Sequence, residues 1–146
     1  MKYITLLFAA CILVSCSKSD DGQNQSPYLP DYEFDTLNLI NTNLPQYSSL
    51  TLPGNHIVVE APYGINGFVL YHAGNNNYSA FEISDPNHSL GTCSKLSVEG
   101  LHATCGCSDG NTYEILNGLP TDGTQAEYPL KRYRVEKNGN IIRVYN

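Results

Sequence analysis

Arg134-Val135-Glu136-Lys137-Asn138-Gly139-Asn140-Ile141-Ile142-Arg143-Val144 is the stretch whose reading decides the fold class. Two alternating, β-branched runs flank Asn138-Gly139, a dipeptide suited to the positive φ angles of a tight hairpin turn. The segment therefore predicts a C-terminal β-hairpin. Upstream, the same grammar repeats. Short β-branched or aromatic runs at 56–60, 67–71, 78–83, 101–105, 112–116, 133–137 and 141–145 read as strands. Pro53-Gly54, Asn66-Gly67, Gly74-Asn75-Asn76-Asn77, Glu99-Gly100 and Asn117-Gly118 punctuate them. Residues 32–41 could form a helix, but Thr36-Leu37-Asn38-Leu39-Ile40 alternates better as a first strand. Short strands at this spacing, with no internal repeat, indicate an all-β sandwich or barrel.

Composition narrows the class. The chain has 146 residues, 41% hydrophobic and 15% charged, which fits one globular domain rather than a disordered chain or a membrane bundle. A net charge of −6 argues against nucleic acid as a partner, since phosphates need a basic surface. No phosphate-binding glycine loop, Gly-x-Ser-x-Gly elbow, His-Glu-x-x-His helix or pair of catalytic carboxylates can be read, so a non-enzymatic role is expected. Five cysteines against one methionine and no tryptophan are the oddest feature.

The first two cysteines belong to the N-terminus. Lys2 precedes an apolar run from Ile4 to Val14, too short for a membrane span and suited to a signal-peptide core. The run closes on Leu13-Val14-Ser15-Cys16, which resembles the bacterial lipobox. The resemblance implies a leader at 1–15, removed together with Cys11, and acyl chains on Cys16, which would anchor the chain stably. An ordinary secretory peptide is the competing reading. Residues 16–33 are polar and read as a lipidated flexible tether, leaving a domain at 34–146. Serine after Cys16 resembles lipoproteins sorted to an outer membrane, and the acidic Asp20-Asp21 run resembles the surface-export signal of Bacteroidetes lipoproteins. The domain is thus expected to face the periplasm or the cell surface.

Two cysteine-bearing loops interrupt the strands. The first runs Ser84-Asp85-Pro86-Asn87-His88-Ser89-Leu90-Gly91-Thr92-Cys93 and the second Thr104-Cys105-Gly106-Cys107-Ser108-Asp109-Gly110. They follow a Tyr78-Ser79-Ala80-Phe81-Glu82 strand, are separated by a hairpin through Glu99-Gly100, and precede Asn117-Gly118, Tyr128-Pro129-Leu130 and the final hairpin. This layout resembles the Rieske iron–sulfur domain, in particular small Rieske-like lipoproteins of Bacteroidetes, and implies stacked antiparallel sheets. A Rieske [2Fe–2S] centre takes two thiolates on one iron and two imidazoles on the other. The family supplies them as Cys-x-His in the first loop and Cys-x2-His in the second. By resemblance the four ligand positions fall on Asp85, Asn87, Cys105 and Ser108, of which only Cys105 has a suitable side chain. The Cys105-x-Cys107 spacing is also too short for a zinc ribbon.

Some Rieske proteins join a second cysteine in each loop as a disulfide, and the resemblance puts Cys93 and Cys107 at those positions. Cys93–Cys105 is the competing pairing. A cell envelope is oxidising, so paired cysteines there bridge by default, leaving one odd thiol. The expectation is a cluster-free domain without a cofactor, bound to the membrane by its lipids and to an unidentified envelope protein or glycan. The alternative is electron transfer through a [2Fe–2S] cluster or single metal held by His88, Cys105, Cys107 and Cys93.

The remaining candidates read as ordinary structure. His56, His72 and His102 fall on strands without a second ligand nearby in sequence. Asp85, Asp109 and Asp122 sit among loop residues but lack a calcium-loop pattern. The eleven tyrosines suit half-buried sheets as well as a sugar-stacking platform. Lys131, Arg132, Arg134, Lys137 and Arg143 could mark a basic face towards an acidic partner, or protect an edge strand from aggregation.

Overall fold

The computed structural model describes residues 26–146. The expected leader 1–15, Cys16 and the tether up to residue 25 lie outside the described residues. Nine strands follow in order: β1 (Ile40–Asn41), β2 (His56–Glu60), β3 (Gly67–Gly74), β4 (Asn77–Glu82), β5 (Leu96–Glu99), β6 (His102–Cys105), β7 (Thr112–Glu114), β8 (Arg132–Asn138) and β9 (Ile141–Tyr145). Every pairing is antiparallel. One sheet has six strands in the order β1-β9-β8-β4-β3-β2, and the other has three in the order β5-β6-β7.

The all-β expectation holds, with local differences. The first strand shrinks to Ile40–Asn41, because 35–39 form a turn. Asp35 Oδ1 accepts the Leu37 N–H at 2.9 Å, Leu37 takes a φ of +48°, and the Leu39 N–H donates to Thr36 O. Thr36 is buried and Leu37 exposed, so the apparent alternation is that of a turn. Pro45–Thr51 forms a 3-10 helix that the sequence reading missed, its Leu50 buried among sheet residues. The final hairpin is present, but Asn138 pairs with Ile141, so Gly139-Asn140 make the loop. Only Gly139 takes a positive φ there, as a II′-type loop requires. Asn75 and Asn76 form the β3–β4 loop, and both have positive φ, the I′ pattern.

Two cores flank the six-stranded sheet, and β3 feeds both. Phe68 and Leu70 point into one with Ile40, Leu50, Ala80, Tyr133, Ile142 and Val144. Val69 and Tyr71 point into the other, where Phe81 and Ile83 meet Leu96, Ala103, Cys105, Tyr113 and Ile115 from the small sheet and its flank. Successive side chains of a strand face opposite sides, so a strand covered on both faces reads as one continuous apolar run. That is why Gly67-Phe68-Val69-Leu70-Tyr71 lacks polar alternation. Gly118 closes the second core from outside: a Cβ there would lie 2.5 Å from the Phe81 ring.

Residues 26–33, expected as the end of a free tether, are fastened to the domain. Asp31 accepts from Lys131 Nζ and Asn146 Nδ2, each at 2.8 Å, and the Ser26 hydroxyl donates to Pro86 O. The loops 84–95 and 106–111 emerge together at one end of the small sheet. Ile83 O accepts the Leu96 N–H at 2.7 Å and Asn111 O the Cys105 N–H at 2.8 Å, so both loops leave from firmly paired backbone.

Candidate functional site

The two loops are joined covalently. Cys93 and Cys107 form a disulfide with their Cα atoms 4.8 Å apart, and Cys105 is a free, buried thiol. The Gly106 N–H donates to Cys93 O at 3.0 Å, and a Cβ at Gly106 would lie 3.3 Å from that oxygen. The loops thus meet through backbone as well as sulfur. The Cys105 thiol also reaches Cys93 O at 3.5 Å, while the Cys107 N–H points at Cys105 Sγ from 3.4 Å.

Asp85 lies beneath this junction and is fully buried. Its Oδ1 accepts the Tyr113 hydroxyl at 2.5 Å and the Asn87 N–H at 2.9 Å. Its Oδ2 is less well supplied: Asn111 Nδ2 donates from 3.4 Å, and His88 Nε2 stands at 3.8 Å. His88 Nε2 is also 2.7 Å from Asp109 Oδ2 on the second loop. Burial first, then a hydrogen bond to Asp85, pushes the Cys105 thiol up to about 12, so it is neutral at physiological pH. The same two causes raise the Tyr113 hydroxyl, which keeps it a donor.

Asn87 is a structural staple. Its Oδ1 accepts the Glu127 and Tyr128 N–H groups at 2.8 and 2.9 Å, and its Nδ2 donates to Tyr128 O and to the Tyr113 oxygen. One amide side chain therefore ties the first loop to the connection before β8. Ser108 is exposed at the tip of the second loop. The four positions that the resemblance gives to cluster ligands are thus a buried acceptor (Asp85), a backbone staple (Asn87), a neutral thiol (Cys105) and an exposed hydroxyl (Ser108).

Of the alternative ligands, His88, Cys105 and Cys107 have ligand atoms within 4.8 Å of one another, but Cys107 is already bonded to Cys93. The set His88, Cys105, Cys107 and Cys93 therefore cannot act as four free donors. A different set lies equally close: Asp85, His88, Cys105 and Asp109, again within 4.8 Å. Sequence reasoning had not joined Asp109 to His88, or Tyr113 and Asn111 to Asp85. These contacts span 21 to 28 residues, and no local spacing announces them.

No family model and no curated protein matches the chain. Among solved structures, the cyanobacterial plasma membrane Rieske protein from Synechocystis PCC 6803 is similar with a TM-score of 0.50 and 20% identity, across 72% of this chain and 95% of that one. The fold is Rieske-like. A chain from the complex of reduced oxygenase and oxidized ferredoxin in carbazole 1,9a-dioxygenase matches 64% of this chain and 82% of its own length, with 22% identity and a TM-score of 0.43. A Rieske cluster, which needs two thiolates and two imidazoles, does not fit these Rieske-like loops. Cys105 is the one free thiol of the two loops among the described residues, Cys93 and Cys107 being bonded to each other, and the Asn87 amide, where the resemblance puts an imidazole, has hydrogen-bond partners on both its polar atoms.

The other candidates are absorbed by the fold. His72 is buried and stacked on Tyr78, with ring centroids 4.3 Å apart, and its ring nitrogens have no hydrogen-bond partner among the described residues. Asp122 lies in an exposed turn. Tyr71, Tyr113 and Tyr133 are core residues, whereas Tyr28 and Tyr32 are exposed over less than half of their surface. The basic hairpin is paired in part: Lys131 pairs with Asp31 and Arg143 with Asp35 and Glu136, while Arg132 lies over the Phe81 ring.

Proposed function

We propose that this chain is a cluster-free Rieske-like domain of the bacterial cell envelope, held at the outer membrane by acyl chains on Cys16 and acting by binding an envelope partner rather than by catalysis. The observation that carries the cluster-free part is the hydrogen bonding of Asp85 and Asn87. Both side chains are engaged by Tyr113 and by backbone groups, and the resemblance gives their positions to a thiolate and an imidazole in a Rieske centre. The disulfide supports the envelope reading, because such bonds persist in oxidising compartments. With the loops bridged, the domain presents a preorganised end, including the exposed Leu90, that can dock without paying to order a flexible segment. Analysis of purified protein for iron and acid-labile sulfide tests the first part: both are expected to be absent at stoichiometric level, and Rieske-type absorption with its electron resonance signal would overturn it. Labelled palmitate should enter the wild-type chain and not C16A; equal labelling of both would overturn the anchor.

A further inference from the structure

We propose that the two loops form a site for a single zinc-class divalent cation, bound by Asp85, His88, Cys105 and Asp109. The proposal rests on the cluster-free reading and adds a ligand to it. The four donor atoms are one imidazole nitrogen, one sulfur and two carboxylate oxygens, all within 4.8 Å of one another. A tetrahedron with metal–ligand bonds of about 2.1 Å has edges of about 3.4 Å, so no donor pair has to close by more than about 1.4 Å. Nitrogen and sulfur donors select zinc, cobalt or ferrous iron over calcium and magnesium, which prefer all-oxygen shells.

Three further observations favour a cation here. Asp85 is a fully buried carboxylate, and among the described residues no lysine or arginine forms an ion pair with it; His88 at 3.8 Å is its only basic neighbour. A buried charge without a close counter-charge is costly, and a cation would offset that cost. Asn111, 1% exposed, lies beside it with Nδ2 towards Asp85 Oδ2 and Oδ1 unpartnered; turning the amide over would bring that unsatisfied oxygen towards the cation. The outer shell is also in place. Tyr113 and the Asn87 N–H orient Asp85, and the Cys107 N–H faces the Cys105 sulfur, the kind of support that fixes ligand geometry at metal sites. His88 and Asp109, with side chains 30% and 27% exposed, leave an entry path from solvent.

The test uses the full chain with its Cys93–Cys107 bond intact. Zinc is titrated in competition with a chromophoric chelator, and cobalt(II) serves as the spectroscopic probe. One equivalent should bind, and cobalt should show the intense visible bands of four-coordination with a near-ultraviolet thiolate-to-metal band. C105S should lose that band. H88Q and D109N, on partly exposed side chains and therefore expected to fold, should each weaken zinc binding by at least about tenfold. No stoichiometric zinc binding, or binding unchanged in H88Q and D109N, would overturn the site, as expected if His88 merely links the two aspartate side chains. Either result leaves the cluster-free reading standing, whereas stoichiometric iron with acid-labile sulfide would remove both.

Discussion

Glu82 and Asp85 lie three residues apart, both fully buried, and have opposite surroundings. Glu82 is saturated. Its Oε2 accepts the Ile65 N–H at 2.7 Å and the Tyr133 hydroxyl at 2.6 Å, and its Oε1 the Asn66 N–H at 3.0 Å and the Ser84 hydroxyl at 2.7 Å. Asp85 has one oxygen well supplied and the other with only a distant amide and an imidazole at 3.8 Å. Buried carboxylates that serve only the fold are hydrogen-bonded on every side, because an unmet lone pair in the interior costs free energy. The contrast separates a carboxylate that anchors the loop before β3 from one with an oxygen open to a further ligand.

The contrast can be broken most forcefully at Glu82. In E82Q one of the two polar atoms becomes a donor and opposes two donors whichever way the amide turns. The expected loss is about 4 kcal/mol in urea unfolding, and a loss below about 1 kcal/mol would refute the idea that saturation makes this group structural. Next comes the clasp over the Asp85 side. Cys93 and Cys107 are 14 residues apart, so the double variant C93S/C107S should lose about 3 kcal/mol in the same measurement. N87A follows, at about 2 kcal/mol, with faster amide exchange at Glu127 and Tyr128, whose N–H groups it releases. D85N should cost less than about 1 kcal/mol, because its oxygen can still accept from Tyr113 and its new amide can donate to Asn111 Oδ1 if that side chain flips. A large loss there would make Asp85 a second Glu82.

The smallest effect belongs to a surface pair that serves as control. Hydrogen bonds from Arg143, then from the Leu37 N–H, hold the Asp35 carboxyl below its ordinary value. A lowered folded-state value contributes stability that is present above the unfolded carboxylate range near pH 4 and is lost as pH falls through the folded value. D35N should therefore flatten the acid limb of a stability–pH curve while leaving its slope above about pH 6 unchanged.

The architecture was legible because hairpins announce themselves locally. Gly139-Asn140 and Asn75-Asn76 lie between β-branched or aromatic runs, and each strand of those hairpins was readable within two or three residues. The Asp35–Leu39 turn was not, because Thr36 is buried through its hydroxyl, which accepts the Val144 N–H at 2.8 Å, a contact 108 residues away. The loops behaved similarly. That Asp85, Asn87 and Ser108 lack Rieske-type donors could be read from their identities. That Asp85 and Asn87 converge on one tyrosine, Tyr113, could not, since Tyr113 looked like any strand tyrosine. Sequence shows which side chains a loop has; long-range packing decides what each one faces.

β3 has a consequence for how the molecule tolerates change. Because Phe68 and Leu70 belong to one core and Val69 and Tyr71 to the other, a substitution that enlarges a side chain on one face shifts the shared backbone into the opposite face. The two halves therefore cannot drift independently. Pairs of mutations on opposite sides of this strand should show strong non-additivity, which makes β3 an axis of epistasis linking the hairpin end of the domain to the bridged loops.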